Sequence, residues 1–159
     1  MSNHIRRELA VAIGRAVMAF QDATDEVDEA AARRLGLNRT DLRCLSVLSQ
    51  RDGLGASELA AAAGLTRGAM TTVLDRLEAS GYARRAWDRQ DRRAVRVEMT
   101  AAARKRIEAL YRPLARSGAR LLATYSTAEL AAALRYLEDG RRLQRAHAQR
   151  LRRSSSNRA

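Results

Sequence analysis

The sequence predicts a mainly helical fold with a small β-sheet, and two patterns support this class. Apolar residues recur at the helical period through most of the 159 residues, which indicates about six amphipathic helices. The period changes to alternation at Val95, Val97 and Met99, which is typical of a half-buried strand. With a partner strand before it and a short one upstream, the sheet has two or three strands.

The composition favours a polyanionic partner, because the formal net charge is +12 and the pI about 11.3. A compositional bias of the genome accounts for much of the preference for arginine over lysine, but for little of the positive net charge. The single cysteine, Cys44, excludes an intramolecular disulfide, and no apolar run approaches the roughly 18 residues of a membrane span. No signal peptide is recognised. We therefore expect a cytoplasmic, nucleoid-associated protein that does not enter a membrane.

Residues 1–36 predict one long amphipathic helix. Its apolar stripe consists of Ile5, Leu9, Ile13, Val17 and Phe20. The segment from Asp22 to Glu29 is acidic, and it is either a solvated face or a contact for the basic C-terminal arm of the same or another subunit. Gly36 interrupts the pattern, so residues 1–36 are assigned to an N-terminal dimerisation helix.

Two short helices follow. Asn38 or Thr40 could cap the first, which carries Leu42, Leu45 and Leu48. Residues 51–55 form a turn that could include a short strand pairing with the later ones. The next helix runs from about residue 56 to residue 63, with Gly55 and Glu58 as half a capping box and Gly64 at its end.

The following helix is the one expected to recognise DNA. Thr66 can cap it and is also counted among its DNA-binding residues. The helix starts at Arg67, and Gly81 closes it. Its apolar stripe consists of Met70, Val73, Leu74 and Leu77. Two short helices joined by a tight turn form a helix-turn-helix, and the strands and basic loop after them make it winged. Residues 37–100 are therefore assigned to a winged helix-turn-helix DNA-binding domain.

The outward face of this recognition helix suits a major groove. Gly68 would let a phosphate approach the helix N-terminus, or it is a poor helix former tolerated in a first turn. Thr71 and Thr72 offer hydroxyl and methyl groups for base edges, unless they only face solvent. Arg67 could contact a guanine or a phosphate, and Arg76 is better placed for phosphate.

The loop between the two wing strands is rich in guanidinium groups. Asp91 lies two residues before Arg93, so its carboxylate could orient that side chain for a narrow minor groove. Arg89 and Arg92 would help on the DNA backbone, and the alternative for any of these arginines is a solvated loop charge. Trp87 is expected to pack at the base of the strands.

Residues 101–152 predict two C-terminal dimerisation helices. Thr100 caps the first, which Pro113 should kink, and Ser126 with Glu129 forms a capping box for the second. Residues 153–159 are expected to be a disordered basic tail. The long terminal helices carry apolar stripes that one compact domain cannot cover, which predicts a two-fold homodimer. The alternative is a monomer with a compact helical cap.

These residues together resemble the MarR family of bacterial transcriptional regulators. The similarity covers nearly the whole chain, and its most specific part is the run Asp88-Arg89-Gln90-Asp91-Arg92-Arg93-Ala94-Val95 leading to Met99-Thr100. Leu74-Asp75-Arg76-Leu77-Glu78 with Gly81-Tyr82 adds to it. The resemblance implies a homodimeric winged-helix protein, usually a repressor, whose grip on a pseudo-palindromic operator is relaxed by a small ligand or by oxidation. It also gives Arg93 the minor-groove role.

The sequence departs from this family at three places. Thr72 stands where many members carry an arginine in the recognition helix, so a purine contact from that position is not carried over. Ala103 replaces a glycine that often follows the second wing strand. The first helix lacks the cysteine that organic-peroxide sensors of the family use, which counts against a redox response. Cys44 is therefore expected to be a buried, inert thiol, with a redox sensor as the alternative.

No catalytic constellation is recognisable, so we expect no enzyme, no metal site and no cofactor; His4 and His147 have no further ligands near them in sequence. The leading function is a ligand-responsive homodimeric repressor that binds an operator in double-stranded DNA. A broadly binding DNA-architectural protein, a redox-responsive repressor using Cys44 and a protein–protein adaptor stay open. A small-molecule effector pocket could be bounded by Phe20, Leu45, Leu48 and Tyr111, although a core role is favoured for Tyr111.

Overall fold

The computed structural model describes residues 2–51, 53–87 and 95–156. These ranges form six α-helices and three β-strands, which confirms the predicted fold class. The elements are α1 (Ser2–Leu35), α2 (Arg39–Ser49), β1 (Leu54–Gly55), α3 (Ala56–Ala63), α4 (Arg67–Ala79), β2 (Ala83–Trp87), β3 (Val95–Met99), α5 (Ala101–Leu122) and α6 (Thr127–Ser156).

The chain divides into two compact units, Met1–Leu110 and Tyr111–Ala159. The predicted divisions at residues 36, 100 and 152 stay predictions. The expected disordered tail is corrected in part, because α6 continues to Ser156. The arginine- and leucine-rich sequence before that point favours helix, so the last helix extends further than the composition of the tail suggested. Residues 157–159 lie outside the described residues.

Local signals set the ends of α4. The Thr66 hydroxyl accepts a hydrogen bond from the Ala69 amide at 3.2 Å, which confirms the predicted N-cap. At the other end Gly81 has a φ of +72°. The Gly81 amide donates to the carbonyl of Glu78 at 2.9 Å, and the Tyr82 amide donates to that of Leu77 at 2.8 Å. These two hydrogen bonds satisfy the last carbonyls of the helix, and the turn that makes them needs a residue that tolerates the left-handed region.

Asn38, and not Thr40, caps α2. Its side chain accepts from the Asp41 amide at 2.9 Å, and the Asn38 amide donates to the Asp41 carboxylate at 3.3 Å. The two contacts form a reciprocal capping box. At α3 the Gly55 amide donates to Glu58 at 2.9 Å, which is the expected half of such a box.

The hydrophobic core of the first unit lies between α2, α3, α4 and the sheet. Its largest fully buried apolar side chains are Leu45, Leu48, Leu59, Met70, Leu74, Leu77 and Val97. The stripe predicted for the recognition helix is therefore the face that packs on this core. That packing leaves the opposite face of α4 in solvent.

The sheet is antiparallel, with strand order β1-β3-β2. Leu54 of β1 pairs with Val97 of β3, so the short upstream strand does join the wing strands. β2 pairs with β3 from Ala83 opposite Met99 to Trp87 opposite Val95. The ladder thus leads from the core towards the wing loop.

The long helices carry exposed apolar side chains. On α1, Ile5 is 52% exposed, Leu9 58% and Phe20 72%.

In the second unit α5 continues through Pro113. The predicted capping box of α6 is present: the Ser126 hydroxyl accepts from the Glu129 amide at 3.3 Å, and the Ser126 amide donates to the Glu129 carboxylate at 2.8 Å. None of the described helices has both the length and the apolar character of a membrane span.

Candidate nucleic-acid interface

The solvent face of α4 presents the residues predicted to contact DNA. Arg67, Gly68, Thr71 and Thr72 are all exposed, and the helix they stand on is fixed by its cap and its buried stripe. The free amide groups of the first turn also face outwards there, which favours an anion near Gly68. The structure therefore brings the four side-chain positions together on one rigid surface.

The two threonines present a defined chemistry. The Thr71 hydroxyl donates to the Arg67 carbonyl at 3.2 Å, and the Thr72 hydroxyl lies 3.5 Å from the Gly68 carbonyl. Because the hydroxyl hydrogens turn back to the helix, what remains outward is an acceptor oxygen and a methyl group. Such a pair suits the amino groups of adenine and cytosine and the methyl group of thymine.

Gly68 keeps the helix surface open. A Cβ built at this position would meet no atom within 4 Å. The absence of a side chain is therefore not required by packing inside the protein. It leaves room for a surface that approaches the helix backbone from outside.

Arg76 has a structural partner that the sequence did not predict. Its Nε donates to Asp41 Oδ2 at 2.8 Å and its Nη2 donates to Asp41 Oδ1 at 2.6 Å. The carboxylate is 1% exposed, whereas the arginine side chain is 43% exposed. These hydrogen bonds raise the pKa of Arg76 above its usual range. Arg76 therefore neutralises a buried carboxylate and ties α4 to α2, and its predicted phosphate contact stays a prediction.

Cys44 lies in the core beside this ion pair. The thiol is fully buried. Burial, together with the nearby Asp41 carboxylate, raises the pKa of Cys44 to about 11. Since the thiolate is the reactive form, a thiol with this pKa stays protonated and unreactive at neutral pH. The interpretation as an inert thiol agrees with this environment, and the redox alternative loses support.

A second set of ion pairs fixes the base of the wing to α4. The Arg85 amide donates to Glu78 Oε1 at 2.8 Å, and Arg85 Nη2 donates to Asp75 Oδ1 at 3.0 Å. The Arg85 guanidinium also pairs with the Glu78 carboxylate. Across the strands, Arg84 pairs with Glu98 at 2.8 Å. These contacts connect the start of β2 to the C-terminal half of α4.

Tyr82 connects three helices. Its hydroxyl donates to the Leu35 carbonyl at the end of α1 at 2.8 Å. Its amide closes α4 through Leu77, and its carbonyl accepts from the Thr100 amide at 3.1 Å, directly before α5. Thr100 in turn caps α5, because its hydroxyl accepts from the Ala103 amide at 3.1 Å. A displacement of α1 or α5 would therefore act directly on the end of the recognition helix.

The predicted wing-tip contacts Arg89, Asp91, Arg92 and Arg93 lie outside the described residues and stay predictions. The described strands end at Trp87 and Val95. Trp87 is 69% exposed, so the expectation that it packs at the strand base is wrong. Among the described residues of β2 and β3, the buried ones are Ala83 and Val97, which lie nearer the core than Trp87 does.

The four residues proposed for an effector pocket fall in different environments. Leu45 and Leu48 are 0% and 1% exposed within the core, and Phe20 is 72% exposed on α1. Tyr111 belongs to the second unit. The effector pocket stays a prediction. In the part of the chain that the structure describes, no group of three or more His, Cys, Asp or Glu side chains could hold a metal ion.

Comparisons with known proteins match the same segment. The model of the MarR family matches residues 37–95, from the start of the helix-turn-helix to the second wing strand. The chain is 40% identical to the uncharacterized HTH-type transcriptional regulator YcgE of Bacillus subtilis over 102 residues, which are 64% of this chain and 66% of that protein. It is 41% identical over 86 residues to the HTH-type transcriptional repressor Rv2887 of Mycobacterium tuberculosis, covering 52% of this chain and 62% of the repressor. The chain thus spans just under two thirds of the length of these relatives.

Solved structures show the same fold. A MarR-family transcriptional regulator from Silicibacter pomeroyi superimposes with a TM-score of 0.60 at 27% identity, covering 78% of this chain and 84% of that one. A mutant of MepR from S. aureus gives a TM-score of 0.64 at 20% identity, covering 78% and 93%.

Proposed function

We propose that this chain, which is similar to the MarR family of transcriptional regulators across its winged helix-turn-helix, acts as a homodimeric, ligand-responsive repressor that binds a pseudo-palindromic operator in double-stranded DNA. The observation that carries the proposal is the outward face of α4. A helix held by a buried stripe, a capped N-terminus and an ion pair to a buried carboxylate presents mainly polar or small side chains to solvent.

The dimensions of α4 fit the proposed contact. The helix has 13 residues, which corresponds to a length of roughly 20 Å, and its diameter suits a major groove about 12 Å wide. Gly68 permits close approach of a phosphate, while Thr71 and Thr72 present acceptors and methyl groups to base edges. The net charge of +12 supplies the long-range attraction to the polyanion.

The homodimer is supported by the exposed apolar side chains of the terminal helices. On α1 they include Ile5, Leu9 and Ile13, the last 45% exposed, and on α6 Leu134 and Leu137 are 59% and 62% exposed. A second copy can cover such surfaces, and a two-fold axis would place two α4 helices about one helical turn of DNA apart. The ligand response rests on the family alone.

Selection of bound fragments from genomic DNA with the purified protein tests the proposal. We expect one enriched motif with inverted half-sites whose centres are about 10 base pairs, or a multiple, apart. Recovery of fragments without a common motif would favour a DNA-architectural protein instead. If no fragments are recovered at low salt, the adaptor alternative stands and the proposal is wrong.

A further inference from the structure

Asp41 is the only buried charged side chain among the residues that the structure describes. Its carboxylate accepts three hydrogen bonds, from the Asn38 amide at 3.3 Å, from Arg76 Nε at 2.8 Å and from Arg76 Nη2 at 2.6 Å. The Asp41 amide in turn donates to the Asn38 side chain at 2.9 Å. The capping box of α2 therefore fixes the carboxylate, and the fixed carboxylate faces α4.

The Arg76 guanidinium meets this carboxylate along one of its edges. A guanidinium is a planar fork of N–H donors, and the edge formed by Nε and Nη2 is the one that Asp41 occupies. Nη1 and the second hydrogen of Nη2 form the other edge, and no described residue accepts a hydrogen bond from Nη1. Because the Asp41 side chain is 1% exposed and that of Arg76 43%, this second edge lies on the solvent side.

The position of Arg76 on α4 decides which part of a duplex this edge would meet. Arg76 follows Thr72 by four residues, so the two side chains are neighbours on the helix surface. Arg76 thus stands at the flank of the outward face, on the side where α4 contacts α2. When a helix lies in a major groove, its centre reaches base edges and its flanks approach the phosphates that border the groove.

We propose that Asp41 is a positioning residue for DNA binding, which holds Arg76 so that its free Nη1–Nη2 edge binds one backbone phosphate in a bidentate manner. This inference rests on the proposed DNA binding by α4. A phosphate presents two oxygens that match two parallel N–H groups of a guanidinium. Since Arg76 is already ordered by Asp41, it loses less side-chain freedom on binding than an unpaired arginine would. A carboxylate that DNA does not touch thereby increases the affinity.

The variant Asp41→Asn separates this role from simple electrostatics. Removing a negative charge from a protein that binds a polyanion should by itself raise the affinity. The proposal predicts the opposite sign, a fall of about threefold to tenfold, because Arg76 loses its fixed orientation. The fall should be equal for the operator and for a shuffled duplex, since phosphate contacts carry no sequence information. Affinity at or above the wild-type value would overturn the inference.

Asp25→Asn is the matched control for this change. It removes a carboxylate of the same charge from the exposed ion pair between Asp25 of α1 and Arg39 of α2. It leaves the contact between Asp41 and Arg76 unchanged, so DNA binding should not weaken. A fall in affinity equal to that of Asp41→Asn would show that the loss of any carboxylate near α2 has the same effect, and would contradict a specific role of Asp41.

A methylphosphonate scan of the operator recovered by the selection tests the phosphate contact itself. Each duplex carries one uncharged methylphosphonate, and its affinity is measured for the full wild-type chain, for Asp41→Asn and for Arg76→Lys, with circular dichroism to verify that each variant is folded. We expect one position in each half-site where the neutral group weakens wild-type binding about tenfold. At that position either variant should lose less than about threefold, because an ammonium group paired with Asp41 has no second planar edge to offer.

This pattern is specific to positioning. A variant whose α4 is merely loosened would bind every duplex more weakly, but the same phosphate would stay the most sensitive one. An identical scan for wild type and Asp41→Asn would therefore overturn the inference and leave the proposed function intact. If the wild-type chain instead shows no salt-sensitive binding to any duplex, the proposed function itself fails.

Discussion

The Asp41–Arg76 ion pair predicts an asymmetry between its two single substitutions. The Asp41 side chain is 1% exposed and the Arg76 side chain is 43% exposed. Removing the arginine should therefore lower the free energy of unfolding more than removing the carboxylate charge does. In Arg76→Met the carboxylate stays buried without its cation, and removing one partner of a buried pair typically costs about 3–5 kcal/mol. In Asp41→Asn the arginine can turn into solvent, so we expect a loss of about 1–2 kcal/mol.

Urea unfolding followed by circular dichroism measures both losses, with the protein concentration held fixed because the proposed dimer makes stability depend on it. The double variant Asp41→Asn/Arg76→Met should lose less than the sum of the single losses, since no unpaired buried charge remains. Equal losses in the two single variants, or additive losses in the double variant, would refute the reasoning.

Four other positions give sharp expectations. With its pKa raised to about 11, Cys44 should not react with Ellman's reagent at pH 8 in the folded protein but should react fully in urea, and rapid labelling of the native protein would contradict its burial. Deprotonation of this buried thiol should also lower the stability of the protein as the pH rises from 9 to about 11. This loss should be absent in Cys44→Ala. Gly68→Ala should stabilise the protein by up to about 1 kcal/mol in thermal unfolding yet weaken operator binding, because the new methyl group meets no protein atom within 4 Å. Gly81→Ala should destabilise by about 1–2 kcal/mol, because its φ is +72°. Tyr82→Phe should cost about 1–2 kcal/mol by leaving the Leu35 carbonyl without its donor, and an unchanged urea midpoint would show that this hydrogen bond contributes little.

Features that depend on neighbours in sequence could be predicted. Thr66 caps α4 and Gly81 closes it because a hydroxyl and a glycine act on backbone groups within one turn. The burial of Met70, Val73, Leu74 and Leu77 follows from the helical period. The alternation at Val95, Val97 and Met99 predicted β3 in the same way.

Features that depend on distant residues meeting in space could not be predicted. Asp41 and Arg76 are far apart in sequence, and only the packing of α2 against α4 shows that the arginine neutralises a buried carboxylate. The Tyr82 contact with Leu35 depends in the same way on how α1 ends beside the sheet. A tryptophan beside a strand suggests packing because the side chain is large and apolar. Whether Trp87 is covered depends instead on how far the core extends along the sheet, which the sequence does not show.

The proposal of a sequence-specific DNA contact by α4 is tested most directly by comparing dissociation constants for the recovered operator and for a shuffled duplex of the same composition at one physiological salt concentration. We expect the operator to bind at least about 10³-fold more tightly. In the variant Thr71→Ala/Thr72→Ala this ratio should fall while affinity for the shuffled duplex stays unchanged, because the proposal has these two side chains contact bases and not phosphates. Equal affinity for both duplexes, or a ratio that the double substitution leaves unchanged, would contradict base recognition by this face of α4.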